Sequence, residues 1–240
     1  MNKKKRGAGK QNLRKTGLRM AKIVLIAIVV GHIAQIALFR WVFPPLTFTQ
    51  LGAVLDGHTF RRDAVSLNDI SANLQLAVIA AEDQLFAVHS GFDVDGIKKA
   101  MDHNRRSHSL RGASTISQQT AKNIFLWQGR TWLRKGLEAY YTFLMEHLYG
   151  KKRILELYLN EAEMGKGIFG AEAAARAWFN KSAAALNAEE AARLAACLPN
   201  PKKYNPKKPG AHIRKKARWI QRQMAYLKSR PNTRALIFGK

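Results

Sequence analysis

Leu74 to Gly91 reads "LQLAVIAAEDQLFAVHSG". Between Leu74 and Ala81 only Gln75 is polar; then two carboxylates arrive together, with His89 and Gly91 behind them. Leu74, Val78 and Glu82 recur at four-residue steps, so a helix here places them on one stripe, and Ser71 is placed to cap its start. A carboxylate carried inward by that stripe, against apolar neighbours, suits general-base work. The plainer alternative is a glutamate paired with a cation at a helix end. His89 alone reads as a core histidine bonded to backbone.

The chain beyond keeps the same helical period and offers few strand signals. "TWLRKGLEAYYTFLMEHLYG" sets Leu133, Leu137, Tyr140, Leu144 and Leu148 on one stripe, the expected core face of that helix. "KRILELYLN" and the Ala-rich "FGAEAAARAWF" continue the pattern. Asn187 with Glu190 forms a capping-box start to "AEEAARLAACL", which Pro199 ends. A last amphipathic helix is expected from about His212 to Leu227. "DGIKKAMDHNRRSHSLRGAS" starts helical, then turns basic, polar and mobile in expectation. The whole predicts one mainly α domain over 71–230, with at most a minor hairpin, and a C-terminal tail at 231–240.

Ahead of that domain the composition changes. Met1 to Lys22 holds nine Lys or Arg and no acid. Ile23 to Phe43, "IVLIAIVVGHIAQIALFRWVF", is apolar apart from Gly31, His32, Gln35 and Arg40. As a helix it spans about 30 Å, the thickness of a bilayer core. Trp41 and Phe43 suit an interface, and Pro44-Pro45 should stop the helix. A cleaved signal peptide is disfavoured, since no A-x-A site follows. The basic flank predicts a cytoplasmic N-terminus and a domain outside the membrane, which in a bacterium is the periplasm or cell surface. Residues 44–70 read as a poorly periodic connector.

Lys and Arg number 41 against 16 acids, a formal charge of +25, which favours nucleic acid, anionic lipid or a phosphorylated substrate. Cys197 is the only cysteine, so no intrachain disulfide forms. A DNA-binding protein would use the charge but leaves the apolar span and the ordered carboxylates without a role, and no recognised nucleic-acid motif occurs.

Two further stretches carry chemistry. "RGASTISQQTAKN", Arg111 to Asn123, gathers Ser114, Thr115, Gln118, Gln119, Lys122 and Asn123. Thr115, Gln119 and Lys122 share a helix face; a polar face with one cation suits a sugar or a phosphate, though a merely exposed helix would look similar. "RKGLE" places Arg134 and Glu138 at i, i+4 with Lys135 beside them. That is either a weak surface ion pair or a charge cluster for an anionic leaving group and a divalent cation.

Order and spacing together go further. E-D-x-x-F-x-x-H-x-G stands at Glu82 to Gly91, and G-x-S-T-x-x-Q-Q-x-x-K-N at Gly112 to Asn123. R-K-x-x-E stands at Arg134 to Glu138, and K-x-x-I-L-E-x-Y-L-N at Lys151 to Asn160. In these, and in "GIFGAEAAARAWFNK" and "LPNPKKYNP", the sequence resembles the glycosyltransferase family 51 peptidoglycan polymerases, roughly from Leu67 to Pro206. Its length and single anchor resemble the monofunctional members. Bifunctional relatives add a transpeptidase domain marked by S-x-x-K, which does not occur here. Asn180, where the family often has glycine, and Ala72, where it often has proline, depart from the pattern.

The resemblance implies a lysozyme-like helical domain with a small membrane-proximal lobe. It implies transfer of the growing lipid-linked glycan onto the 4-hydroxyl of lipid II, with inversion to a β-1,4 bond and release of undecaprenyl pyrophosphate. Glu82 would be the base. Glu138 would orient cations or a divalent metal (Mg or Mn). Ser114, Thr115, Gln118, Gln119, Lys122 and Asn123 would line the donor site. Lys122, Arg134 and Lys135 would hold pyrophosphate, while Asp83, Phe86 and His89 would shape the pocket. Bilayer lipid and other wall-synthesis proteins would be partners, and no organic cofactor or nucleic acid is expected. Lysozyme-like folds also host glycan cleavage, so a lytic enzyme is the rival reading.

Overall fold

The computed structural model describes residues 3–107, 112–129 and 131–239, with side chains from Gly17 onward. The chain forms two compact units, Met1–Val42 and Phe43–Lys240. The first is the helix α1 (Lys3–Leu38). Within it Gly17–Leu38, 22 residues, is long and apolar enough to cross a membrane. Ile23, Leu25, Ile26 and Ile28 are all exposed, so no polar face competes with the apolar one. The helix starts well before Ile23 and stops at Leu38, short of Phe43. The amides of Trp41 and Val42 both donate to the Leu38 carbonyl, which closes the helix in a tight turn ahead of the prolines.

The second unit is built from α2 (Phe48–Leu55), β1 (Arg61–Arg62), α3 (Ala72–Glu82), α4 (Val94–Arg106), α5 (Ile116–Phe125), α6 (Trp132–Leu148) and α7 (Lys151–Glu161). There follow β2 (Glu163–Gly165), β3 (Ile168–Phe169), α8 (Ala171–Phe179), α9 (Ala188–Cys197), α10 (Ala211–Ser229) and α11 (Pro231–Phe238). At its centre α3 buries Leu74, Leu76, Ala77, Val78 and Ile79. A helix apolar on all sides must be surrounded, and α9 and α10 pack against it. The alanines 191, 192, 195 and 196 of α9 are buried and let the backbones approach closely. Ser71 accepts from the Leu74 amide and caps α3, and Asn187 with Glu190 closes the capping box of α9. The small sheet has order β1-β3-β2, with β1 parallel and β2 antiparallel to β3. The mainly α fold class is thus met.

Three segments differ from expectation. The 44–70 segment carries a capped helix and a strand that belong to the second unit. The 231–240 segment holds α11. The third difference is α6. Its expected core stripe is only partly covered: Leu137, Leu144 and Leu148 are half-buried, but Leu133 is 69% and Tyr140 44% exposed, and the neighbouring Trp132 and Phe143 are exposed as well. The inward face is instead Arg134, Glu138, Thr142 and Met145. Those residues recur at steps of four, four and three, so the helical period is kept and the neighbouring polar face is the one turned to the core. Residues 108–111 of the basic segment after α4 lie outside the described residues.

Candidate functional site

The end of α3 is fixed by Asp83. Its carboxylate accepts from His89 Nε2 at 2.9 Å and from the Ile116 amide at 3.0 Å, the first amide of α5. One buried carboxylate therefore ties the Glu82 segment to the start of α5, where a negative charge suits the helix dipole. His89 Nδ1 accepts from the Gly91 amide, and Thr115 donates to the Gly91 carbonyl at 2.6 Å. Gly91 has φ +89°, and a Cβ there would sit 2.9 Å from Thr142 and Glu146. Glycine is required on both counts.

Several residues expected at the substrate are used locally. Thr115 and Gln118 are the two halves of the α5 capping box and are buried. Phe86 lies in the core with the Lys151 ammonium over its ring. Ser114 is exposed just before α5. The residues left facing open space are Gln119, Lys122 and Asn123, which line a cavity of roughly 470 Å³.

Glu82 is half-buried at the C-terminal end of α3 rather than enclosed by apolar groups. Gln119 Nε2 donates to its Oε2 at 2.9 Å. The Tyr158 hydroxyl donates to Gln119 Oε1 at 3.4 Å. Burial, reinforced by the nearby Glu82 carboxylate, pushes the Tyr158 phenol well above its ordinary value, so it stays an O–H donor. Gln119 thus links Glu82 to the cavity wall.

Lys122 is half-buried, and among the described residues no acid lies within ion-pair distance of its ammonium. Burial lowers its pKa; Arg134 and Lys135 add to this, while Glu138 and Glu82 oppose it. Lys122 therefore sits in the fields of both glutamates. On α6, Glu138 is 3% exposed and accepts from Arg134 Nη1 at 2.8 Å and from the Lys135 ammonium. Arg134 Nε is buried with no acceptor among the described residues. Arg134, Lys135 and Lys122 together place three cations around one carboxylate, an excess suited to a polyanion.

Glu138 was also the candidate metal ligand. Both its oxygens are engaged by cations, and among the described residues no three His, Cys, Asp or Glu side chains converge. This donor set does not fit a protein-held divalent cation.

The sequence reading missed the opposite wall. Thr49, Gly52, Ala53 and Asp56 of the α2 segment line the cavity, with Gln128, Tyr158, Glu163 and Lys202. Thr49 Oγ1 donates to the Asn123 carbonyl and accepts from Gln128 Nε2. Gln50 donates to Glu161 at 2.6 Å, and Arg62 donates to its other oxygen. The one signal was a glutamate directly following the apolar "ILELYLN".

A family model described as "Transglycosylase" matches residues 49–225, so the match begins inside α2. A protein named "Biosynthetic peptidoglycan transglycosylase" from Aeromonas hydrophila is 50% identical over 208 residues, covering 85% of this chain and 88% of its own. Proteins with the same name from Xanthomonas axonopodis pv. citri and Xylella fastidiosa are 46% and 47% identical. These cover 88% and 87% of this chain, and 88% and 89% of their own lengths.

Proposed function

The chain belongs to the transglycosylase family, and from that membership we propose how its cavity performs glycan polymerisation. It is a peptidoglycan glycosyltransferase acting on glycan and lipid II. Glu82 takes the proton of the lipid II 4-hydroxyl. That oxygen forms a bond to C1 of the growing strand. The C1–oxygen bond to pyrophosphate breaks, and the electron pair leaves with undecaprenyl pyrophosphate. A single displacement inverts the centre. No acid is needed on the leaving side if cations absorb the charge. Lys122, Arg134 and Lys135 fill that role, with Glu138 fixing the last two. The observation that carries this reading is the unpaired Lys122 ammonium in the cavity, within the fields of Glu82 and of the Glu138 cluster.

The outward face of α6 fits the same reading. Trp132, Leu133, Tyr140 and Phe143 are exposed, and Trp127 lies just before the helix. An apolar face turned away from the core needs another apolar medium. The bilayer supplies it and also holds the lipid-linked substrate. The apolar span in α1 anchors the enzyme there, with a cytoplasmic N-terminus and the catalytic unit in the periplasm.

The test is polymerisation of labelled lipid II by the full chain into lysozyme-sensitive glycan. Glu82→Gln is expected to lower kcat about 10³-fold, the range of a lost general base, with unchanged melting. A wild-type rate in that variant would remove Glu82 from the mechanism.

A further inference from the structure

Glu161 is the last residue of α7 and is fully buried. Its two oxygens take hydrogen bonds from both ends of one segment. Gln50 Nε2 reaches Oε2 at 2.6 Å, and Arg62 Nη2 reaches Oε1 at 2.5 Å. Gln50 lies in the first turn of α2 and Arg62 in β1, so the two bonds bracket the rest of α2 and the chain that follows it. Gln50 is itself fully buried and uses its other end to close the helix cap, its Oε1 accepting from the Thr47 amide at 3.0 Å. Arg62 also donates from Nη1 to the Pro45 carbonyl at 3.1 Å. Glu161 thus gathers residues 45, 47, 50 and 62 at one point, about a hundred positions away in the chain. What it holds is the cavity wall carrying Thr49, Gly52, Ala53 and Asp56.

We propose that Glu161 is a positioning residue for glycosyl transfer: as a carboxylate it clasps the α2 segment closed over the substrate cavity. The inference rests on the reading of that cavity as the lipid II site. A charge buried in this way normally needs an ion pair made on stability grounds alone, yet one of its two partners is a neutral amide. The geometry asks specifically for an acceptor at both oxygens. Gln50 cannot reverse its amide to suit a donor without opening its own cap. Either a proton on Glu161 or a glutamine in its place puts a donor against a donor, and one arm of the clasp opens.

The clasp is therefore sensitive to pH. Burial pushes Glu161 up to about 7, against Arg62, the Gln50 hydrogen bond and Arg153. The charged groups facing it are Arg62 from β1 and Arg153 from its own helix. The raised value gives the sign: above it the carboxylate form holds both arms, and below it the protonated form holds one. The α2 wall loosens as pH falls through this value.

The experiment uses the full chain in detergent micelles and compares wild type with Glu161→Gln. Amide hydrogen exchange is followed along 48–55, with α9 as an internal reference, and kcat and KM are measured with lipid II across neutral pH. Wild-type KM is expected to rise about tenfold from the alkaline to the acid side, the size of one lost charge-assisted hydrogen bond, with kcat nearly constant. Glu161→Gln is expected to show the high KM at every pH, with faster exchange in α2 and unchanged protection in α9. Should that variant fold poorly, Gln50→Leu removes the α2 arm together with its half of the helix cap, leaves Arg62 paired to Glu161, and is expected to raise KM in the same way. Unchanged α2 exchange in a folded variant would overturn the clasp. A loosened α2 with wild-type KM would overturn its service to the site. Failure of the underlying reading looks different: wild type itself would make no glycan.

Discussion

Helices α3 and α6 each carry one glutamate of the site, and they face opposite ways. In α3 the apolar residues are buried and Glu82 emerges half-exposed at the end. In α6 the glutamate is buried, and Trp132, Leu133, Tyr140 and Phe143 face outward. In α6 like residues share a face, whereas α3 is apolar on all sides and its glutamate comes only at the end. A hydrophobic period fixes which residues go together; it does not say which group meets the core. For α6 the inward group is acceptable because Arg134 and Lys135 satisfy Glu138, and Thr142 donates to the Glu138 carbonyl. The outward group is acceptable only if something other than water covers it.

The contrast can be broken by substitution. Ile79→Ala in α3 empties a fully buried position and is expected to cost about 3 kcal/mol, read as a fall in melting temperature. Leu133→Ser in α6 is expected to change stability by under about 0.5 kcal/mol. It should instead weaken partitioning of the protein onto lipid vesicles roughly tenfold, following the apolar area lost. Equal destabilisation by the two changes would mean that the outward face of α6 is a core face after all.

The chemistry of the inward face is tested by pH. Lys122 is held below the ordinary lysine range, chiefly by burial. Only the ammonium form can hold pyrophosphate, so activity should fall on the alkaline side before a free lysine would titrate. Lys122→Arg keeps the charge at any working pH, and its alkaline limb should move upward. The smallest effect belongs far from both helices. Asn180 closes α8 in the left-handed conformation, φ 56° and ψ 39°. Asn180→Gly should raise stability by no more than about 1 kcal/mol, while Asn180→Ala should lower it by about as much, both read by thermal melting with activity unchanged.

These elements also mark what could be read from sequence. The caps at Ser71 and Asn187 were legible because cap and partner lie three residues apart. So was the Arg134–Glu138 pair, at one helical turn. The helical character of the body followed from its period, and the four motifs pointed to the chemistry. What was illegible depends on distance along the chain or on the surrounding medium. Nothing near Gln50 announces Glu161, and nothing in "TWLRKGLEAYYTFLMEHLYG" tells a core from a bilayer. Thr115 and Gln118 show a related limit: a capping box and a substrate-binding face draw on the same polar residues.

Gln119 has a consequence for stereochemistry. An amide has one donating and one accepting end, so the line Tyr158–Gln119–Glu82 has a direction. The phenol gives to the amide oxygen, and the amide nitrogen gives to one oxygen of Glu82. In the proposed reaction that oxygen already accepts one hydrogen bond, which leaves the other oxygen the freer acceptor for the incoming hydroxyl. The proposed base is thereby biased to one side by a neutral side chain that never takes the proton.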